Sequence, residues 1–339
     1  MLFKKAACFT DIHFGLKGNS RVHNDDAEAF VYWFIEQAKA QGCETCIFLG
    51  DWHHHRSSTN VSTMNYTVSN MERLGQAFDN VYVLMGNHDL FYREKREINS
   101  MEFVRYIPNV HIVNEWILDD DVALIPWLEP EEHLKIPDLK QRYIFGHFEL
   151  PYFMMNAMVE MPDVGGIKAE HFVNQEYVFT GHFHKRQQRG NIHYIGNAFP
   201  HNYADAGDDA RGMMILEHGG KPQYIDYPAM PMYRHYKISE LLENTDLLLK
   251  EKMYVRVGLD FKMSYEDANH IRETFMNQYK LREFQLIPEQ LDQAEAKPIT
   301  IEKFDSVDQI VIKQLEGVDS KTYDKQILMA IYNNLDVNN

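Results

Sequence analysis

The chain has 339 residues, 45% of them hydrophobic and 25% charged, and a net charge of −16 at neutral pH. That composition describes a folded protein large enough for more than one core, and excludes a disordered chain. The charge excludes a protein that coats nucleic acid through a general basic surface, and no apolar run reaches the ~18 residues that a membrane span needs.

The basic and apolar start of the chain is cut short by Asp11 before it becomes a secretory segment, so Ala6–Thr10 reads as a first strand. It leads into Asp11-Ile12-His13, whose two polar residues flank Ile12 and are expected on one side of an extended loop. Residues 25–40 carry Ala27, Phe30, Val31, Phe34, Ile35 and Ala38 at helical spacing, with acids in the first turn and Gly42 as a stop. Strand Thr45–Leu49 runs into Gly50-Asp51-Trp52-His53-His54-His55. A helix is expected over 62–78, with Met64, Val68, Met71, Leu74 and Phe78 on one stripe. Then Val81–Leu84, a buried strand, ends in Gly86-Asn87-His88-Asp89.

Arg93–Arg105 has mixed charge and is expected to be helical, and Val110–Val113, Trp116–Leu118 and Val122–Pro126 read as a meander. Two more strands end the same way as the first three: Arg142–Phe145 into Gly146-His147, and Glu176–Thr180 into Gly181-His182-Phe183-His184. Ile192–Tyr194 and Gly212–Glu217 are expected to close the sheet, with 200–211 a polar loop between them. Pro222, Pro228 and Pro231 place a boundary near 228–236. Beyond it a small α+β module is expected: strand Met253–Phe261, helix Tyr265–Tyr279 and strand Glu283–Pro288. Gln290–Pro298 reads as a linker, and 305–316 and 319–335 as two amphipathic helices.

Of the three cysteines, Cys43 and Cys46 form a C-x-x-C with no second pair to complete a zinc site. Cys46 lies in an apolar strand, so Cys8, Cys43 and Cys46 are expected as buried free thiols in a reducing compartment, the cytoplasm.

Five strands thus end in turns that carry Asp11, His13, Asp51, Asn87, His88, His147, His182 and His184. In a layered α/β sheet such turns gather at one edge. So many mixed oxygen and nitrogen donors exceed the needs of one metal, and suit two cations about 3.5–4 Å apart that share a carboxylate.

The ordered set D-x-H, G-D, G-N-H-[DE], G-H and G-H-x-H resembles the signature of the calcineurin-like metallophosphoesterases. Gly50–Arg56 departs from the G-D-x-x-D-R-G of the family's protein phosphatases, and with G-N-H-D it is similar to the DNA-repair nucleases of the SbcD type. The resemblance implies an α/β fold: a layered metallophosphoesterase sandwich of mixed β-sheets flanked by helices (1–230), a small α+β capping domain for DNA recognition (231–290), a linker (291–304) and a C-terminal helix pair (305–339) that binds an ATPase. It implies that Asp11, His13 and His184 hold one metal, that Asn87, His147 and His182 hold the other, and that Asp51 bridges. His88 would serve the phosphate or protonate the leaving 3′ oxygen, His54 matches a second catalytic histidine, and Asp89 would fix the tautomer of His88.

The implied cofactor is two divalent ions, Mn²⁺ as usual for the family or Mg²⁺; ligand type alone leaves zinc and iron open as well. The implied activity is a DNA exo- and endonuclease that processes ends for recombination, repair and replication. Its expected partners are single- and double-stranded DNA ends, an SMC-like coiled-coil ATPase bound through 305–335, and a second copy of the chain met through helices at 62–78 and 97–106. No membrane is expected, and the cytoplasm would be the host's if the chain is phage-encoded. A phosphatase or cyclic-nucleotide phosphodiesterase of the same fold is the alternative; against a non-catalytic scaffold stands the intact ligand set.

Overall fold

Successive residues of β1 (Lys5–Phe9) serve two different cores. Ala7 and Phe9 pack with Phe30, Val31 and Phe34 of the helix Arg21–Ala40. Ala6 and Cys8 face the other way, into a layer shared with Ile47, Leu49, Leu124, Phe145 and Phe179. This period-two alternation makes β1 a central strand with both faces covered. A computed structural model describes residues 1–156 and 159–288. The chain divides into two units, Met1–Glu289 and Gln290–Asn339, so the expected linker (291–304) and helical tail (305–339) lie outside the described residues.

Two six-stranded mixed sheets are packed face to face. The first has the order β14 (Gln223–Asp226), β13 (Gly212–Glu217), β1, β2 (Thr45–Phe48), β3 (Asn80–Leu84), β6 (Val110–Val113). Its strands β1, β2, β3 and β6 are parallel, so their C-terminal ends share one edge. The second has the order β11 (Gln187–Arg189), β12 (Ile192–Tyr194), β10 (Tyr177–Gly181), β9 (Tyr143–His147), β8 (Val122–Ile125), β7 (Ile117–Leu118), with β8, β9, β10 and β12 parallel. The outer face of the first sheet is covered by helices Arg21–Ala40 and Val61–Ala77. The outer face of the second is covered by loops that bring in Phe148, Phe153 and Phe172. The layered sandwich expected from the sequence is therefore the fold, and all three cysteines are buried free thiols.

Several local expectations differ. The stretch 93–105 is not a helix: β4 (Leu90–Tyr92) and β5 (Lys95–Asn99) form a hairpin, followed by a single 3₁₀ turn, Glu102–Val104. The cause is Arg96, which is 2% exposed, binds Glu132 with two nitrogens, and donates to the carbonyls of Asn114 and Trp127. A buried arginine with these long-range partners outweighs the local helical preference of a mixed-charge run. The 97–106 half of the expected dimer contact is therefore not helical.

The meander is split, since β6 joins the first sheet while β7 and β8 join the second, and the chain crosses between layers at Asn114–Trp116. For the same reason β12 and β13 close different sheets. The helix Arg21–Ala40 starts a turn earlier than expected, at Ser20, so its acids lie beyond the first turn. The buried stripe of Val61–Ala77 is part polar (Thr63, Thr67, Asn70), and Met64 is exposed.

Residues 233–288 form a three-stranded parallel sheet, β15 (Tyr233–Lys237), β16 (Tyr254–Leu259), β17 (Glu283–Pro288), with helices Ile238–Glu243 and Tyr265–Gln278. Its own core contains Ile238, Leu241, Val255, Val257 and Phe284. It is fastened to the sandwich by polar contacts. Arg282 binds both oxygens of Asp26 at 3.1 and 3.0 Å, Tyr203 donates to Glu283 at 2.7 Å, and the Lys17 ammonium lies 3.9 Å from the centre of the Tyr254 ring. Among the described residues no helix is long and apolar enough to cross a membrane.

Candidate metal centre

The turns after β1, β2 and β10 share a backbone device. Asp11 (φ 50°), His13 (φ 50°), Asp51 (φ 63°) and His182 (φ 86°) all sit in the left-handed region, which non-glycine residues seldom occupy and which costs about 1–3 kcal/mol per residue. Asp11 and His13 therefore reach the crevice from a twisted loop, not from the extended one expected of D-x-H. The turns brace one another: Asp11 N donates to Gly50 O at 3.0 Å and His13 N to Asp51 O at 3.2 Å. The strand-ending glycines leave room for this. A Cβ on Gly86 would stand 2.2 Å from Asp51 Oδ1, and one on Gly181 would stand 2.2 Å from Thr10 Oγ1 and 2.9 Å from Asp11 Oδ2.

Asp51 is the centre of the cluster. Its Oδ2 is 3.7 Å from His13 Nε2 and 3.4 Å from His147 Nε2, while Oδ1 accepts from His88 N at 2.8 Å. Asp11, His13 and Asp51 form one compact donor group and Asp51, His147 and His182 a second, so Asp51 belongs to both. Asn87 Oδ1 joins the second group, 3.2 Å from His147 Nε2 and 3.0 Å from His182 Nδ1. His184 stands on the other side, its ring 5.3 Å from that of His13. Burial alone would push the Asp51 carboxyl up, but His147 beside it holds it well below the usual range. Burial opposes protonation of His147, but the Asp51 carboxylate raises its imidazole to about 9.

The expected ligands come together here, with His88 and His54 beside them. His88 and His54 stack at 5.4 Å and both approach His13. The role expected for Asp89 is corrected. Its carboxylate accepts from the backbone N–H groups of Asp51, Gly86 and His53 at 2.8–3.0 Å, tying the second and third turns together. The tautomer of His88 is set instead by the carbonyl of His54, 2.7 Å from Nδ1.

Three contributors were not evident from the sequence. Glu149 meets His182 Nε2 at 3.1 Å and orients that ring. Thr10 donates to Asp11 Oδ2 at 2.7 Å. His201 lies within donor distance of His13 and His184; it follows a strand, then Gly196 and Asn197, the pattern of four of the five turns at longer spacing.

The residues fit divalent cations. His13 is 3% exposed, yet neither ring nitrogen has a hydrogen-bond partner, and a buried imidazole with neither nitrogen hydrogen-bonded is uncommon unless it ligates.

Residues 4–186, over half of the chain, match the calcineurin-like phosphoesterase family. The chain belongs to this family. Divalent metal ions and phosphoester hydrolysis are the chemistry that calcineurin-like phosphoesterase membership implies. This phosphoesterase is 27% identical over 218 residues to Exonuclease subunit 1 of Enterobacteria phage T4, a match covering 61% of this chain and 62% of that protein, less than two thirds of the relative's length. Among solved structures it is similar to Pseudomonas putida nuclease MPE (18% identity, 56% of this chain and 66% of the other, TM-score 0.29). It is also similar to a dimetal phosphatase from Danio rerio (9% identity, 63% and 92%, TM-score 0.42).

Proposed function

We propose that this phosphoesterase is a DNA nuclease subunit that hydrolyses phosphodiester bonds with two divalent cations, Mn²⁺ in preference to Mg²⁺. The observation that carries the two-cation reading is the Asp51 carboxylate, shared by two donor groups. Asp11, His13 and His184 would hold one ion, and Asn87, His147 and His182 the other. When bound, such a pair neutralises charge on the phosphate and acidifies an attacking water.

The chain's own groups supply the rest. His88 has Nδ1 committed to the His54 carbonyl, which leaves Nε2 as the atom that carries a proton to the leaving oxygen. His54, stacked on His88, lines the same side of the crevice. Glu149 and the indole of Trp127, whose ring lies 5.0 Å from that of His182, hold the second group in place.

A nucleic-acid substrate is favoured by the relative named as an exonuclease subunit. That name also supports work within a larger assembly. Its partner would be a coiled-coil ATPase of the SMC type, contacted by residues 305–335, while the module at 233–288 would cap the DNA. A second copy would pair through the helix Val61–Ala77, which exposes Val61 and Met64.

The test is hydrolysis by the purified chain with Mn²⁺ or Mg²⁺ of single-stranded DNA, double-stranded DNA and p-nitrophenyl phosphate mono- and diesters. DNA cleavage that exceeds ester cleavage is expected. Ester cleavage with intact DNA makes the protein a phosphatase or small phosphodiesterase instead. Removing residues 300–339 is expected to leave cleavage intact and to abolish binding to the ATPase.

A further inference from the structure

His201 lies in the loop 200–211, outside the five turns, and the roles proposed above make no use of it. It is 2% exposed, and neither ring nitrogen has a protein partner. Its ligand atom lies within 4.8 Å of those of His13 and His184, a separation that one ion bonded to each at roughly 2 Å closes with small adjustments. Its ring is 5.3 Å from that of His13 and 5.1 Å from that of His184.

The backbone that carries it is built to stay put. His201 N donates to Asp205 Oδ2 at 2.9 Å, and Asp205 is itself paired with the buried Arg211 at 3.3 Å. The His201 carbonyl accepts from the Tyr233 hydroxyl at 2.8 Å, so the first strand of the small module pins the loop. A fixed backbone and a buried ring without hydrogen-bond partners, one nitrogen of which lies within reach of two ligand-type imidazoles, are how a metal ligand is presented.

We infer that His201 is a further ligand of the cation held by Asp11, His13 and His184. This rests on the two-cation reading above. The donor set of that ion then contains three imidazoles beside its carboxylates, which shifts its preference away from Mg²⁺ and toward Mn²⁺, Fe²⁺, Co²⁺ or Zn²⁺.

The experiment uses the full chain, stripped of metal and titrated with Co²⁺ by calorimetry and visible absorption. The wild type is expected to bind two ions. His201→Gln and His201→Asn are expected to weaken one of them by more than about 10-fold, the lower bound for outer partners of a metal site, to change the Co²⁺ absorption band, and to leave the other ion and Mg²⁺ affinity nearly unchanged. Two Co²⁺ bound by both variants with wild-type affinity and spectrum would overturn the inference while leaving the two-cation reading standing. A wild type that binds fewer than two ions overturns that reading as well. If both variants unfold, pulsed EPR of the Mn²⁺-loaded wild type decides: three coupled imidazole nitrogens at one ion support the inference, and two or fewer refute it.

Discussion

The carboxylate of Asp51, at the end of β2 in one sheet, lies 3.4 Å from Nε2 of His147, at the end of β9 in the other. The centre therefore exists only when the two sheets are packed, and Asp51 is the group that both halves use. Asp51→Asn keeps the shape and removes the charge. Bound metal is expected to fall, and hydrolysis to drop by at least about 10²-fold, as for loss of one preorganised electrostatic contact. Metal content and rate measured across a Mn²⁺ titration check this, and near-normal activity at any Mn²⁺ level would remove Asp51 as a shared ligand.

Gly86 contributes by having no side chain. A Cβ there would stand 2.4 Å from the Asp51 backbone N as well as 2.2 Å from its Oδ1. Gly86→Ala must push Asp51 out of place, and a displacement of this kind costs about 10²-fold in rate. Overpacking adds a stability loss of about 1–3 kcal/mol. Urea unfolding and steady-state hydrolysis measured on the same preparation separate the two effects, and an alanine variant with normal rate would show that the turn can yield.

His88 is committed to a backbone carbonyl through Nδ1 and lies outside the two donor groups around Asp51, in a separate group with His13 and His54. His88→Ser is expected to keep metal content at the wild-type level while turnover falls by about 10²–10⁴-fold, the range for a lost proton donor. Loss of one metal equivalent from the purified variant would instead put His88 among the ligands.

His193 lies away from the metal centre, on β12, with Nδ1 2.9 Å from the Tyr224 hydroxyl of the first sheet and its ring against Phe179 and Tyr177. Arg186 stacks over Tyr224. Burial lowers the His193 imidazole from 6.5 to about 4. Between those values the unfolded chain takes up a proton that the folded chain refuses, so the contribution of His193 to stability is present above pH 6.5 and is lost as pH falls toward 4. His193→Gln is expected to flatten the dependence of the urea midpoint on pH across that window. An unchanged slope would mean that other groups govern acid stability.

The sequence by itself determined which side chains could meet in a candidate site. Apolar strands that run straight into Asp, or stop at glycine and continue into Asp, Asn or His, are local patterns, and strand period and turn composition are properties of neighbouring residues. Asp11, His13, Asp51, Asn87, His147, His182 and His184 were legible for that reason, as was the layered α/β class. What only the tertiary structure decided involves partners far apart in the chain. Arg96 turned an expected helix into a hairpin by reaching Glu132 and the carbonyls of Asn114 and Trp127. Which sheet β6, β7, β12 and β13 join depends on packing between layers, to which a strand's own residues are nearly blind. Asp89 proved to be a brace between turns because its oxygens meet three backbone N–H groups that no spacing rule places there. His201 reads in the sequence as part of a polar loop, since its ring is buried by His13, His23 and His184 and its backbone held by Asp205 and Tyr233, most of them far away in the chain. Local composition sets which groups can react; long-range packing energy sets which of them meet.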